Sequence, residues 1–149
     1  RRVHFMAKQE LFEGYFSRLL MTKLGGFPVR RGTSDRRAIS TAISLLKEGK
    51  VVGIFFEGER SNDFNVYKPL SGAAMLSTSL GVPIIPCAIV PEARKLRVAF
   101  GRPILHEKPA DPAKKSEVYD QVNRELIDAV LELGAGKLHY VDEYIQPRT

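Results

Sequence analysis

Residues Lys50–Ser61 read KVVGIFFEGERS, and this stretch decides the fold. Val51–Phe56 is a short, unbroken apolar run, the mark of a strand covered on both faces rather than one. Before it, Ala38, Ile39, Ala42, Ile43 and Leu46 recur at helical spacing, with Thr33, Ser34 or Asp35 able to cap and Gly49 able to stop. After it comes a turn-rich Ser61–Asp63, then a helical Gly72–Leu80 closed by Gly81. A second buried run, Ile84–Ile89, and an alternating Leu96–Phe100 read as further strands. Ser116–Leu133 carries the clearest helical stripe: Val118, Val122, Leu126, Ala129 or Val130, and Leu133. Near the start, Val3–Ala7 suits a strand, and Leu11–Leu24 suits a helix stopped by Gly25-Gly26.

Alternating strands and helices predict an α/β layer with a largely parallel or mixed central sheet flanked by helices. Val51–Phe55 and Ile84–Ile89 are expected near its centre. Pro103–Lys115 is expected to be a surface loop. The 149 residues suit one domain, and no repeat, low-complexity segment or long linker divides them. The single cysteine, Cys87, excludes a disulfide framework and a cysteine-based zinc cluster; inside an apolar run it reads as a buried strand residue. No P-loop, dinucleotide fingerprint or metal-ligand spacing is present, so no resident cofactor or metal is expected. The longest apolar runs are far too short to cross a membrane.

The net charge is +6, and its placement is uneven. Arg1–Arg37 holds nine basic and three acidic residues, which accounts for the whole excess. Such a field attracts phosphorylated small molecules, anionic lipid or nucleic acid. A solvated basic face is the plain alternative.

Three stretches could carry chemistry. Phe55–Ser61 sits where a strand ends, the place where open α/β sheets bind ligands. There Gly58 permits close backbone approach, and Arg60 offers a planar fork for phosphate. Gly25–Gly32 places Arg30 and Arg31 after a short extended piece. Val82-Pro83-Ile84-Ile85-Pro86 brackets a strand with prolines, which by itself is structural.

Together, in this order and spacing, these stretches resemble the glycerolipid acyltransferases of the 1-acyl-sn-glycerol-3-phosphate acyltransferase type. Phe55–Ser61 resembles the block F-P-E-G-T-R-S; Gly26 to Arg31 resembles G-x-x-x-x-R; Val82–Pro86 resembles V-P-x-x-P. Met6–Phe12, with Lys8 before Glu10-Leu11, resembles the family's lead-in, and Phe100–Ile104 its strand exit. The resemblance spans Arg1 to about Leu133 and implies a glycerolphosphate-acyltransferase-like fold. It implies transfer of a fatty acyl group from acyl-CoA or acyl carrier protein to 1-acylglycerol-3-phosphate, giving phosphatidic acid for phospholipid biosynthesis. It also implies that Arg31 and Arg60 hold the phosphate with help from Lys8, that Glu57 positions the glycerol, and that Gly58 and Ser61 complete the substrate site. The partners it implies are a lysophospholipid, a thioester donor and a membrane surface on the cytoplasmic face, with no nucleic acid.

Two positions depart from the pattern: Phe56 stands for proline and Glu59 for threonine. The family's general-base block, N-H-x-x-x-x-D, is not among these residues, so the sequence reads as one acyltransferase domain over 1–149, truncated on its N-terminal side and inactive alone. The alternative is an inactive fragment or relative that only binds phosphorylated lipid. His106-Glu107-Lys108-Pro109-Ala110-Asp111 matches H-x-x-x-x-D, but it follows the Val82–Pro86 block, and Pro109 breaks the helical turn that would join the two side chains. It is expected to be a decoy. The Leu11–Leu24 helix, with Phe12, Tyr15, Phe16, Leu19 and Leu20, suits either a membrane surface or ordinary core packing.

Overall fold

The computed structural model describes residues 2–30, 35–57 and 65–141. They belong to two compact units, Arg1–Phe55 and Phe56–Thr149.

In the first unit, strand β1 (Val3–Lys8) is followed by a 3-10 turn (Gln9–Phe12), helix α1 (Tyr15–Lys23), strand β2 (Phe27–Val29), helix α2 (Arg36–Lys47) and strand β3 (Val51–Gly53). The sheet order is β2-β1-β3, with both pairings parallel. Parallel neighbours need a crossover, and α1 and α2 supply the two connections. Among the described residues β1 is therefore the central strand, and β3 is an edge of this sheet. That corrects the expectation for Val51–Phe55: β3 stops at Gly53 and is half-buried, and Phe55 lies beyond it. The Phe5 ring fills the space that a side chain at Gly53 would need, so the glycine suits close approach at this register pair. α2 rests on β2 and β3 through Ala38 and Ala42, both buried.

The expected Leu11–Leu24 helix is split. Gly14 is the N-cap of α1, and Gln9–Phe12 forms the separate 3-10 turn. At the other end the chain makes a Schellman turn. Gly26 N donates to Met21 O at 2.8 Å and Gly25 N to Thr22 O at 3.0 Å, with Gly25 at φ +87°. Arg2 Nη2 donates to the α1 carbonyls of Thr22, at 3.1 Å, and Lys23. A Cβ at Gly25 would meet Val3 O at 3.0 Å. Gly25→Ala should therefore cost about 1–2 kcal/mol in a urea melt, since left-handed backbone and this contact are both unfavourable. Unchanged stability would show that the turn relaxes freely.

The second unit contains strand β4 (Asn65–Tyr67), helix α3 (Gly72–Leu80), strands β5 (Cys87–Glu92) and β6 (Lys95–Phe100), helix α4 (Lys115–Gly134) and strand β7 (His139–Val141). β5 and β6 form an antiparallel pair, and β4 pairs with β7 in parallel. The expected strand Ile84–Ile89 is displaced. Ile84 makes one isolated bridge to Ile104, and the ladder begins at Cys87. Pro83 and Pro86 lack N–H donors, so the chain between them cannot sustain a ladder; Pro86 O accepts from Gly101 N instead. Nor is this strand central to the parallel sheet, because its described partner is β6.

α4 packs on one face of β5–β6. Leu126, Ile127 and Val130 meet Ala88, Val90 and Val66 in one core cluster. α3 buries Ala74, Leu76, Ser77 and Thr78; Ser77 Oγ donates to Val82 O at 2.6 Å, and Thr78 Oγ1 to Ala74 O at 2.8 Å. Within Pro103–Lys115, a 3-10 turn spans Pro112–Lys114. Cys87 is exposed rather than buried, because it points to the uncovered face of β5–β6; the odd-numbered neighbours Ile85 and Ile89 are exposed with it. Partial desolvation of the thiol pushes its pKa up, against a nucleophilic role.

Candidate functional site

Parallel pairing puts the carboxyl ends of β1, β2 and β3 along one edge of the first unit. Lys8 is the last residue of β1 and stands opposite Val29, so the residues leaving β1 and β2 become neighbours. Lys8 Nζ lies 3.1 Å from Glu10 Oε1, both half-exposed, a pairing of small net energy. Next to it, Arg30 Nε donates to Gln9 Oε1 at 2.8 Å. Gln9, Glu10, Glu13 and Arg30 line a shallow cavity of about 290 Å³. Arg2, Lys8, Arg18, Lys23, Arg30, Arg36 and Arg37 are all exposed, so the positive field of this unit faces solvent.

Asp35 joins the Arg30 backbone to the start of α2. Its Oδ1 accepts from Arg37 N at 3.0 Å and Ala38 N at 3.2 Å, capping α2, and its Oδ2 accepts from Arg30 N at 2.9 Å. The Arg30 N–H, then those of Ala38 and Arg37 and the Arg30 charge, hold the Asp35 carboxyl below its usual range. A depressed folded pKa gives stability that is present above the unfolded value and lost as pH falls through the folded one. Wild type should therefore melt higher than Asp35→Asn at pH 7, with the difference shrinking as the carboxyl protonates below about pH 4. A gap that stays constant into strong acid would refute this account.

Of the residues expected to bind substrate, Lys8 and Glu57 fall among those described. Glu57 is half-buried, and its Oε2 is out of contact with solvent. Arg31, Gly58, Arg60 and Ser61 lie outside the described residues. The Gln9–Arg30 bond was not visible in the sequence. It joins residues 21 positions apart, and only the parallel register makes them neighbours.

The histidines separate clearly. His106 Nε2 lies 2.9 Å from Glu125 Oε2, on α4. Asp111 instead accepts from Ala113 N at 2.8 Å and caps the 3-10 turn. The H-x-x-x-x-D match is therefore not a His–Asp pair. His4 lies in β1 and is half-buried.

The family model described as Acyltransferase matches residues 1–90, more than half of the chain. The chain belongs to the acyltransferase family. Within this family it is 38% identical over 88 residues to a 1-acyl-sn-glycerol-3-phosphate acyltransferase of Bacillus subtilis (strain 168), covering 58% of this chain and 43% of that protein. Its fold resembles the crystal structure of the 1-acyl-sn-glycerophosphate (LPA) acyltransferase PlsC from Thermotoga maritima. There the TM-score is 0.56 at 24% identity, over 85% of this chain and 56% of the other. This acyltransferase-family chain thus spans about half the length of the relatives it matches. The mixed α/β architecture, a parallel sheet flanked by helices, agrees with that fold.

Proposed function

We propose that the chain serves acyl transfer from acyl-CoA or acyl carrier protein to the free hydroxyl of 1-acylglycerol-3-phosphate, giving phosphatidic acid in phospholipid biosynthesis. The observation that carries this reading is the ordered set of blocks, Gly26–Arg31, Phe55–Ser61 and Val82–Pro86, in a chain of the acyltransferase family. The 38% identity to a 1-acyl-sn-glycerol-3-phosphate acyltransferase supports the choice of acceptor.

In this reading Arg31 and Arg60 take the acceptor's phosphate through paired, charge-assisted hydrogen bonds, and Lys8 adds positive charge. Glu57 orients the glycerol, Gly58 lets backbone approach it, and Ser61 closes the site. Fixing the phosphate holds the hydroxyl near the thioester, so proximity supplies much of the rate. The hydroxyl oxygen attacks the thioester carbon and its proton passes to a general base; the C–S bond breaks, and the sulfur of coenzyme A or acyl carrier protein leaves and is protonated as the free thiol. No cofactor or metal takes part. One acyltransferase domain would include both units, working at a membrane surface on the cytoplasmic face, where an acyl-bearing acceptor resides. His106 is paired with Glu125 on α4 and not with Asp111.

The test is to titrate the full chain with glycerol 3-phosphate and to assay it for phosphatidic acid formation from lysophosphatidic acid and acyl-CoA. Saturable binding is expected, with no turnover by the 149 residues alone beyond that of His106→Ala. Absence of binding to either phosphorylated acceptor would overturn the proposal.

A further inference from the structure

α1 is built the wrong way round for a helix that serves a core. None of its residues is buried. Phe16 is 82% exposed, Tyr15 71%, Leu20 54% and Leu19 47%, with Leu24 at 61% just beyond its end. The half-buried positions are Ser17 and Met21. At 100° per residue, Tyr15, Phe16, Leu19 and Leu20 share one arc of about 140°, and Ser17 and Met21 lie opposite. The apolar face is thus the outward one. Tyr15 and Phe16 stand edge to face with centroids 5.6 Å apart, forming one aromatic wedge.

The charge around this face selects its occupant. Arg18 and Lys23 lie on α1, and the Arg2 guanidinium sits on its C-terminal carbonyls. Glu10 and Glu13 are the only acids between Arg1 and Arg30, and Glu10 pairs with Lys8. A second copy meeting this face about a two-fold axis would gather two sets of Arg2, Arg18 and Lys23 at one interface, like charge beside like charge. An anionic lipid surface instead takes the apolar wedge and neutralises the cations together. Lys23, one turn beyond Leu19 and Leu20 and within the apolar arc, can lay its stem along the face and lift its ammonium to the headgroups. Among the described residues no helix is long and apolar enough to cross a membrane, so α1 would lie in the interface.

We propose that α1 docks the chain on an anionic bilayer, with Tyr15, Phe16, Leu19 and Leu20 inserted among the lipids and Arg18 and Lys23 at the phosphate level. The biological sense of this rests on the bilayer-resident acceptor proposed above; the geometry does not.

The chain contains no tryptophan, so Phe16→Trp creates a single tryptophan that can be excited apart from the tyrosines. Its emission should shift to the blue with phosphatidylcholine vesicles containing phosphatidylglycerol, and less with phosphatidylcholine alone. In cosedimentation, Phe16→Glu with Leu20→Glu should lower partitioning roughly 10-fold or more. Arg18→Glu with Lys23→Glu should lower it on the anionic vesicles and remove its salt sensitivity. All four positions are exposed, and the circular dichroism of each variant reports whether the fold survives. Equal partitioning of variants and wild type would overturn the docking role, as would a wild type that ignores both vesicles. A wild-type dimer that Phe16→Glu dissociates in light scattering would assign the face to a second copy and equally overturn it. Vesicle binding without any binding of glycerol 3-phosphate would instead refute the acyltransferase reading and leave the docking intact.

Discussion

Leu126→Ala should lower the stability of the second unit by about 2–5 kcal/mol, the usual cost of truncating a buried leucine. Leu126 is 3% exposed and shares its cluster with Val66, Ala88, Val90, Ile127 and Val130. These residues come from β4, β5 and α4, so one side chain ties together elements distant in sequence. The loss has two parts: apolar surface no longer buried, and a cavity that the rigid β5–β6 pair cannot collapse to fill. Arg124, two positions earlier and exposed, is the control; Arg124→Ala should change stability by less than about 0.5 kcal/mol. Urea unfolding followed by circular dichroism, with hydrogen exchange on α4, measures both. Equal effects of the two substitutions would mean that α4 does not pack through this row.

Some of this architecture could be read directly from residue spacing. The row Val122, Leu126, Val130 on α4 was legible because a helix buried on one side must repeat its apolar residues about every 3.6 positions. The same rule identified α2, and the glycine after α3 marked its left-handed end at φ +64°. What spacing does not carry is partnership. The apolar run Val51–Phe56 suggested a central strand, yet among the described residues β1, with His4 and Lys8 in its sequence, takes that place. β4 and β7 are three-residue strands paired across most of the second unit, and neither is long enough to show a period. Direction is likewise silent. The pattern of α1 showed an apolar face but not that it turns outward. At the candidate site, it was the resemblance of the ordered blocks to the acyltransferase pattern that brought Lys8, Arg31, Glu57, Gly58, Arg60 and Ser61 into view. The Gln9–Arg30 bond and the double duty of Asp35 depend on strand register, which no local pattern contains.

Arg60→Ala should weaken binding of glycerol 3-phosphate or lysophosphatidic acid by about 1.5–3 kcal/mol, the usual worth of a charge-assisted hydrogen bond. Arg60 follows the Phe55–Gly58 segment in the block that resembles F-P-E-G-T-R-S, and it lies outside the described residues. The expectation therefore rests on chemistry and sequence. A guanidinium can pair two phosphate oxygens at once in a fixed plane, whereas an ammonium acts as a point charge. Arg60→Lys should accordingly recover only part of the loss. Glu59 places a carboxylate next to this arginine where the family pattern has threonine. Glu59→Thr should leave binding unchanged or tighten it, because a like charge near a phosphate disfavours the anion. A solvent-facing ion pair would behave differently: removing Arg60 would change stability slightly and ligand affinity not at all. Calorimetric titration of the three variants against wild type distinguishes the two cases. Equal affinity for wild type and Arg60→Ala, with the melting curve intact, would reduce Phe55–Ser61 to an ordinary turn and leave Arg31 and Lys8 as the remaining cations for the phosphate.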